Sequence, residues 1–146
     1  MNGGGVDKAC KSNAGCWTLE TRNWNRYCVS VIQSYRDLEV YQESQRLFRE
    51  LYQEIRTWPQ LDQRELGSQL LRAANSIHAN IAEGFGKSIK DFKRHLGMSY
   101  SSSEEVQSHL RDVLGVKLMT PQKATYFLEH YASIAKRVYR LRERWQ

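Results

Sequence analysis

No run of about 18 apolar residues, the length that crosses a lipid bilayer as a helix, occurs in the sequence. The N-terminus carries Lys8 and Lys11 but lacks the apolar segment of roughly 7 to 15 residues that a secretory signal contains. We therefore expect neither a membrane-spanning segment nor a secretory signal, and we expect the protein to act in the cytoplasm.

Cysteine is scarce and confined to one stretch of the chain. All three cysteines lie near the N-terminus, at Cys10, Cys16 and Cys28. An odd number of cysteines in an intracellular protein argues against a disulfide framework. Their spacings also lack the paired dyads of zinc sites. We therefore predict free thiols and no metal site.

Residue patterns that support catalysis are missing as well. Glu105 and His109 form a single carboxylate–histidine pair that is not repeated on another helix, as a di-metal carboxylate bundle would require. The serines show no G-x-S-x-G elbow, and the glycines Gly84 and Gly86 are too close together for a phosphate-binding loop. Lone helical histidines are usually hydrogen-bonded structural residues. We predict that the protein is not an enzyme and needs no cofactor.

The composition suits one small, basic domain. The chain has 146 residues, of which 40% are apolar, enough for a single hydrophobic core. It has 22 Lys and Arg residues against 16 Asp and Glu residues, which gives a net charge of +6. A surplus of positive charge favours polyanionic partners, although a solvated basic surface without any charged partner has the same composition.

Periodic apolar residues predict four helices in residues 34–146. The first should run from about Asp37 to Thr57, because Pro59 disfavours a helical conformation at Trp58. For the second, Asp62 is the predicted N-cap, with Glu65 completing a capping box, and glycines at its far end reverse the chain.

The remaining two helices have clearer start signals. Ser88 followed by Asp91 begins the third helix, and Thr120 followed by Pro121 begins the fourth. The third helix carries a seven-residue apolar and serine repeat, which predicts a bundle seam: Phe92, Leu96, Ser99, Ser103, Val106, Leu110 and Val113. Short loops favour antiparallel neighbours, so we predict an all-α, up-down-up-down antiparallel four-helix bundle. Residues 1–33 show no helical period and are predicted to form a flexible, non-helical N-terminal extension.

Two basic clusters are the candidate nucleic-acid-binding residues. One cluster lies at the start of the third helix and comprises Lys87, Lys90, Lys93 and Arg94. The other lies at the end of the fourth helix and comprises Lys136, Arg137, Arg140, Arg142 and Arg144. Positive charge at a helix start opposes the helix dipole, so the first cluster is more readily explained by an anionic ligand than by helix stabilisation.

The stretch Arg72–Gly84 combines a helical apolar stripe with polar residues that lie beside the stripe. An unpaired buried amide costs about 1–3 kcal/mol, so some of these polar groups must be hydrogen-bonded. We interpret four residues as a buried or interfacial polar network that determines which helices pair: Arg72, Asn80, Glu83 and Glu105.

The run RAANSIHANIAEG also resembles a known family, together with Phe92-x-x-x-Leu96 and Ser102-x-x-Glu105-x-x-x-x-Leu110. The chain is similar, over about residues 35 to 145, to the small bacterial four-helix-bundle proteins associated with intervening sequences of large-subunit ribosomal RNA genes. A relative of that family is the accessory variability protein of diversity-generating retroelements. Where the family usually has Gly-Ser in the third helix, this chain has Ser101-Ser102.

The resemblance implies a homopentamer. Five chains of charge +6 would carry about +30, enough to hold RNA or an RNA–DNA hybrid by counterion release without reading its sequence. The resemblance and the basic charge together favour an accessory protein that partners a reverse transcriptase in mutagenic retrohoming. Two alternatives remain: the stand-alone ribosomal RNA intervening-sequence form, whose role is obscure, and a purely structural oligomeric scaffold. A surplus of tyrosines agrees with assembly, since a four-helix bundle cannot bury them all.

Overall fold

The computed structural model describes residues 32–146, whose regular secondary structure is entirely helical. A short 3₁₀ turn, Tyr35–Asp37, precedes the first long helix. The four main helices are α1 (Glu39–Ile55), α2 (Ser68–Gly84), α3 (Ile89–Gly115) and α4 (Pro121–Arg144). The prediction of a four-helix, all-α chain is confirmed for this range. Residues 1–31 of the predicted extension, including the three cysteines, lie outside the described residues.

Two of the predicted helix starts are confirmed. The Ser88 hydroxyl accepts a hydrogen bond from the Asp91 N–H at 3.1 Å. The Thr120 hydroxyl accepts one from the Lys123 N–H at 3.4 Å, and Pro121 follows as the first helical residue. Each cap satisfies one N–H group that the first turn of a helix leaves without an internal partner.

The predicted N-cap at Asp62 is wrong. Asp62 has helical backbone angles and its side chain caps nothing, because the helical turn already begins two residues earlier, at Gln60. Pro59 precedes the helical turn Gln60–Asp62, and its ring fixes a φ of −55° without an N–H that needs a partner. A π-helical turn, Gln63–Gly67, then leads into α2.

The core is built on α2 and α3. The seven-residue repeat of α3 is buried at every position, which confirms the predicted seam. On α2 the apolar stripe is also buried, since Leu70, Ala74, Ile77 and Ile81 are fully buried. Serines let α3 approach α2 closely, since the Ser99 hydroxyl donates to the Ile77 carbonyl at 2.9 Å.

Charged side chains join α1 to α4. Lys123 pairs with Glu54 at 2.6 Å and Arg137 pairs with Glu39 at 3.0 Å. The last turn of α1 therefore lies beside the first turn of α4, and the first turn of α1 lies beside the second half of α4. None of the helices within residues 32–146 is long and apolar enough to cross a membrane.

Candidate functional site

The two basic clusters lie next to each other in the structure. The Trp145 ring packs edge-to-face on Phe92, in the first turn of α3, with centroids 4.7 Å apart. The Arg142 guanidinium lies 3.9 to 4.0 Å from the point where a Cβ on Gly97 would be. The C-terminal end of α4 is therefore beside the first turns of α3. We call the joined area, which consists of the nine candidate residues, the basic surface.

The α4 residues of the basic surface point in three directions. Lys136, Arg140 and Arg144 are exposed and spaced four residues apart, so they form a row along one side of the helix. Arg142 reaches towards α3. Arg137 reaches towards α1, where its ion pair with Glu39 makes it a link between helices as well as a surface charge.

The residues of the basic surface at the start of α3, with Lys87 just before the helix, differ in how firmly they are held. The Lys87 ammonium is 3.3 Å from the Glu83 carboxylate and 3.1 Å from Nε2 of His95. Lys90, Lys93 and Arg94 make no ion pair within residues 32–146. A hydrogen bond from the Ser88 hydroxyl lowers the pKa of Asp91, and the positive charges of Arg94 and Lys87 lower it further.

A buried polar cluster lies directly beneath Lys87. The Asn80 amide group donates to the carbonyl of Ser76 at 2.8 Å, so the Asn80 oxygen faces Nδ1 of His95 at 3.4 Å. An ammonium group can only donate, so Nε2 of His95 accepts from Lys87. The Nδ1–H of His95 then donates to Asn80. This chain of hydrogen bonds ties α2 to α3 and leads outward to the basic surface.

The predicted polar network is only partly brought together. Asn80 is 7% exposed and belongs to the cluster, and Glu83 lies at its rim, 3.9 Å from Nε2 of His95. Arg72 and Glu105 are exposed, and Glu105 lies 3.6 Å from His109 instead. Of the four residues only Asn80 is therefore buried within the single chain, because Glu83 is exposed like Arg72 and Glu105. Their role at an interface between copies stays a prediction.

Sequence reasoning did not single out His95, which is 2% exposed and is the centre of the buried cluster. A signal was present, since His95 stands three residues after Phe92 and four before Ser99. Both of those residues belong to the α3 seam, so His95 had to lie at the edge of the buried face.

Three other buried polar atoms have no hydrogen-bond partner within the described part of the chain: Trp58 Nε1, His78 Nδ1 and the Tyr131 hydroxyl. The His78 ring lies against the rings of Tyr41 and Phe48, with centroids 6.0 and 5.5 Å away. Burial lowers the pKa of His78, and the charge of Arg49 adds to this effect. Burial also raises the pKa of Tyr131. None of these three atoms has a hydrogen-bond partner among the described residues, so none of them belongs to an acid–base pair there.

A charged clamp joins the middle of α1 to α4 on another side of the molecule. Arg46 bonds the Glu43 carboxylate at 2.7 Å, the Glu50 carboxylate, and the Tyr126 hydroxyl at 3.2 Å. The bond from Arg46 lowers the pKa of Glu43, and the same bond raises the pKa of Arg46. All the carboxylates of this clamp are already paired, which suits a structural role.

No group of three or more His, Cys, Asp or Glu side chains that could hold a metal ion occurs between residues 32 and 146. The three cysteines lie outside that range, so the absence of a metal in the whole chain stays a prediction.

The comparison with known families gives one match. Residues 36–140 match the family described as 23S rRNA-intervening sequence protein. The matched range covers well over half of the chain, from the 3₁₀ turn to Arg140, and includes both basic clusters apart from Arg142 and Arg144. No curated protein matches the chain. The chain therefore belongs to the 23S rRNA-intervening sequence protein family.

Proposed function

We propose that the protein binds nucleic acid through the basic surface, as a cytoplasmic homo-oligomer and without catalysing a reaction. The observation that carries the proposal is that the C-terminal end of α4, which carries one basic cluster, lies beside the first turns of α3, which carry the other. Six residues of the basic surface make no ion pair within residues 32–146, so their charge is available to phosphates. They are Lys90, Lys93, Arg94, Lys136, Arg140 and Arg142.

The residue types suit phosphate binding without base reading. Lysine and arginine side chains that neutralise phosphates release condensed counterions, which gives affinity that falls with salt and depends little on sequence. The guanidinium groups of Arg94, Arg140 and Arg142 can each offer two parallel N–H donors to one phosphate. RNA or an RNA–DNA hybrid is the ligand we propose.

Assembly into a homopentamer belongs to the same proposal, as does an up-down-up-down order of the four helices. The Glu54–Lys123 and Glu39–Arg137 pairs support an antiparallel arrangement of α1 and α4. Five chains of charge +6 would carry about +30 together, and such a total strengthens the attraction for a polyanion.

The family match favours the ribosomal RNA intervening-sequence form as the biological context. A reverse-transcriptase partner in a diversity-generating retroelement is the second candidate, which the excess of basic residues also suits. A reverse-transcriptase gene and a template repeat beside this gene would favour the second candidate. An oligomeric scaffold without nucleic-acid binding is the third.

Fluorescence anisotropy across a salt series tests the proposal. We expect the chain to bind structured RNA and unrelated DNA alike, with log affinity falling linearly with log salt. Two triple variants replace charged residues by Gln, one on α3 (Lys90, Lys93 and Arg94) and one on α4 (Lys136, Arg140 and Arg142). Each variant should weaken binding to both the RNA and the DNA. The slope should shrink by roughly 0.7–0.9 for each phosphate that the variant no longer neutralises.

A matched control uses Arg56, Arg64 and Arg111, which are exposed outside the basic surface. Their triple change to Gln removes the same charge and should leave most of the affinity intact. Equal losses in the control and in both surface variants would show that only net charge matters. Unchanged affinity and slope in both surface variants would reject the proposal and favour the scaffold.

A further inference from the structure

An exposed aromatic ring lies within the basic surface. Tyr139 on α4 is 51% exposed, although large aromatic side chains are usually more covered. Lys136 precedes it by three residues and Arg142 follows it by three, so both cations lie on the same side of the helix as the ring. Arg140 is the next residue in the sequence. A tyrosine surrounded in this way combines an apolar face with phosphate-binding neighbours.

The neighbouring helix completes a seam around Tyr139. The ring of Tyr100 on α3 has its centroid 6.2 Å from that of Tyr139, and the two planes are inclined at 59°. One turn earlier, Gly97 has no side chain, and the Arg142 guanidinium lies over that position. Lys93 is one turn earlier again on the same side of α3. We call Gly97, Tyr100, Tyr139 and Arg142 the Tyr139 seam.

We propose that the Tyr139 seam binds an unpaired base of RNA or single-stranded DNA, which stacks on the Tyr139 ring while nearby cations hold the flanking phosphates. This inference rests on the proposed function and names the form of nucleic acid that the surface prefers. The bases of a duplex are already stacked on their neighbours, so their faces are not available to a protein ring. Aromatic rings among basic residues are the usual design of surfaces that bind single strands without sequence preference.

The geometry favours one stacked base rather than a base held between two rings. A sandwich needs two nearly parallel rings, whereas Tyr100 and Tyr139 are inclined at 59°. Tyr100 then supports the Tyr139 ring from the side. Nothing in this contact uses the Tyr139 hydroxyl, so the aromatic face is the feature that the ligand needs.

A second copy of the chain is a less suitable occupant of this surface. A face-to-face contact of two copies through the seam would bring Arg140, Arg142 and Lys136 of both copies together, and such like-charge contacts are unfavourable. In a ring the seam would instead meet a different surface of the neighbouring copy, and the assembly mass measured below distinguishes that case. The polyphosphate backbone of a nucleic acid has the opposite charge.

The test compares Tyr139→Leu with Tyr139→Phe and with the control Tyr52→Leu. Tyr52 is 44% exposed on α1 and lies outside the basic surface. The probes are a fluorescein-labelled oligouridylate and a labelled duplex RNA of the same length, measured by anisotropy with the full chain at one salt concentration. Light scattering on every variant reports the mass of the assembly.

We expect Tyr139→Leu to weaken oligouridylate binding roughly ten-fold, the loss that removal of one base–aromatic stack produces, and to change duplex binding little. Tyr139→Phe should bind like the parent, and Tyr52→Leu should change neither probe.

Equal effects of Tyr139→Leu on both probes, or no effect on either, would overturn the stacking inference. The proposed function would still stand in that case if the parent shows salt-dependent binding in the salt series. A parent that binds neither probe at low salt would reject both. A fall in assembly mass in Tyr139→Leu alone would identify the seam as a subunit contact and would also overturn the inference.

Discussion

Asn80 and His95 hold α2 and α3 together through a buried hydrogen bond, in which the Asn80 oxygen lies 3.4 Å from Nδ1 of the imidazole. Asn80→Ala would remove the acceptor from the Nδ1–H of His95, which is 2% exposed. A buried donor without a partner costs about 1–3 kcal/mol, so we expect the free energy of unfolding to fall by that amount. Chemical denaturation followed by circular dichroism measures it.

Asn75→Ala is the matched control, since Asn75 is exposed on the same helix. Its effect should stay within about 0.5 kcal/mol. Equal destabilisation by the two variants would mean that helix propensity, rather than the His95 contact, determines the loss.

His78 gives the protein a specific dependence of stability on pH. Its pKa is lowered in the folded state, so the unfolded chain binds the proton more readily. The free energy of unfolding should therefore fall as pH drops below about 6.5, and this contribution should level off below the lowered pKa. The Glu43 carboxylate, whose pKa is also lowered, loses its contribution only at more acidic pH.

His78→Phe keeps the ring between Tyr41 and Phe48 and removes the titrating group. We expect this variant to lose the fall in stability between about pH 7 and pH 5, whereas His109→Gln should retain it. Urea denaturation at a series of pH values makes the comparison. A parent-like slope in His78→Phe would show that other groups control this range.

Single residues show where sequence reasoning is reliable and where it fails. Asn80 was identified because an amide beside an apolar stripe must be partnered when buried. Arg72 and Glu105 occupy similar positions on their helices but are exposed, because a helical period defines a face and not its depth. The partner of His95 lies on another helix, so only the packed structure identifies it.

At the scale of the elements, glycines control how closely helices approach. A Cβ on Gly84 would lie 2.6 Å from the Cβ of His95 and 2.9 Å from Phe92, so Gly84→Ala forces α2 and α3 apart. Overpacking of this kind costs typically about 1–3 kcal/mol. At Gly97 the nearest atom is 3.9 Å away, so Gly97→Ala should stabilise α3 by roughly 0.5–1 kcal/mol.

Thermal and chemical unfolding of both alanine variants measures these two opposite changes in stability. The prediction is contradicted if Gly84→Ala is as stable as the parent or if Gly97→Ala is less stable.

Gly86 is a different case, since its φ of +82° makes it the residue that reverses the chain, as predicted. Gly84 is the last, buried residue of α2, and its carbonyl accepts the hydrogen bond from the Lys87 N–H that closes this turn, at 3.2 Å.

The predictability of the elements follows from the physics of helix starts. Ser88 and Thr120 cap α3 and α4 as predicted because a hydroxyl next to free N–H groups has few competing arrangements. The capping box at Asp62 failed because Pro59 already starts the helical path. The π-helical turn Gln63–Gly67 has no comparable signal in the sequence.

At the scale of the molecule, the sequence predicted the number of helices and both basic clusters but not their meeting. The distance between the clusters depends on how α3 and α4 pack, as shown by the contact of Trp145 with Phe92 and by the position of the Arg142 guanidinium near Gly97. Tyr139 was counted only as one of several surplus aromatics, because its basic surroundings arise partly from the neighbouring helix.

The predicted homopentamer can be tested cleanly because Arg72 and Glu105 are exposed and lie outside the buried cluster. Light scattering of the full chain should give about 85 kDa, five times the chain mass of 17.1 kDa. If these two residues pair copies, Arg72→Ala and Glu105→Leu should lower the mass while the helical circular dichroism signal stays constant. Glu129→Leu, at an exposed position on α4, is the control and should leave the mass unchanged. A parent mass near 17 kDa would reject the pentamer. A parent mass near five chains that both variants preserve would instead reject the interfacial role of Arg72 and Glu105.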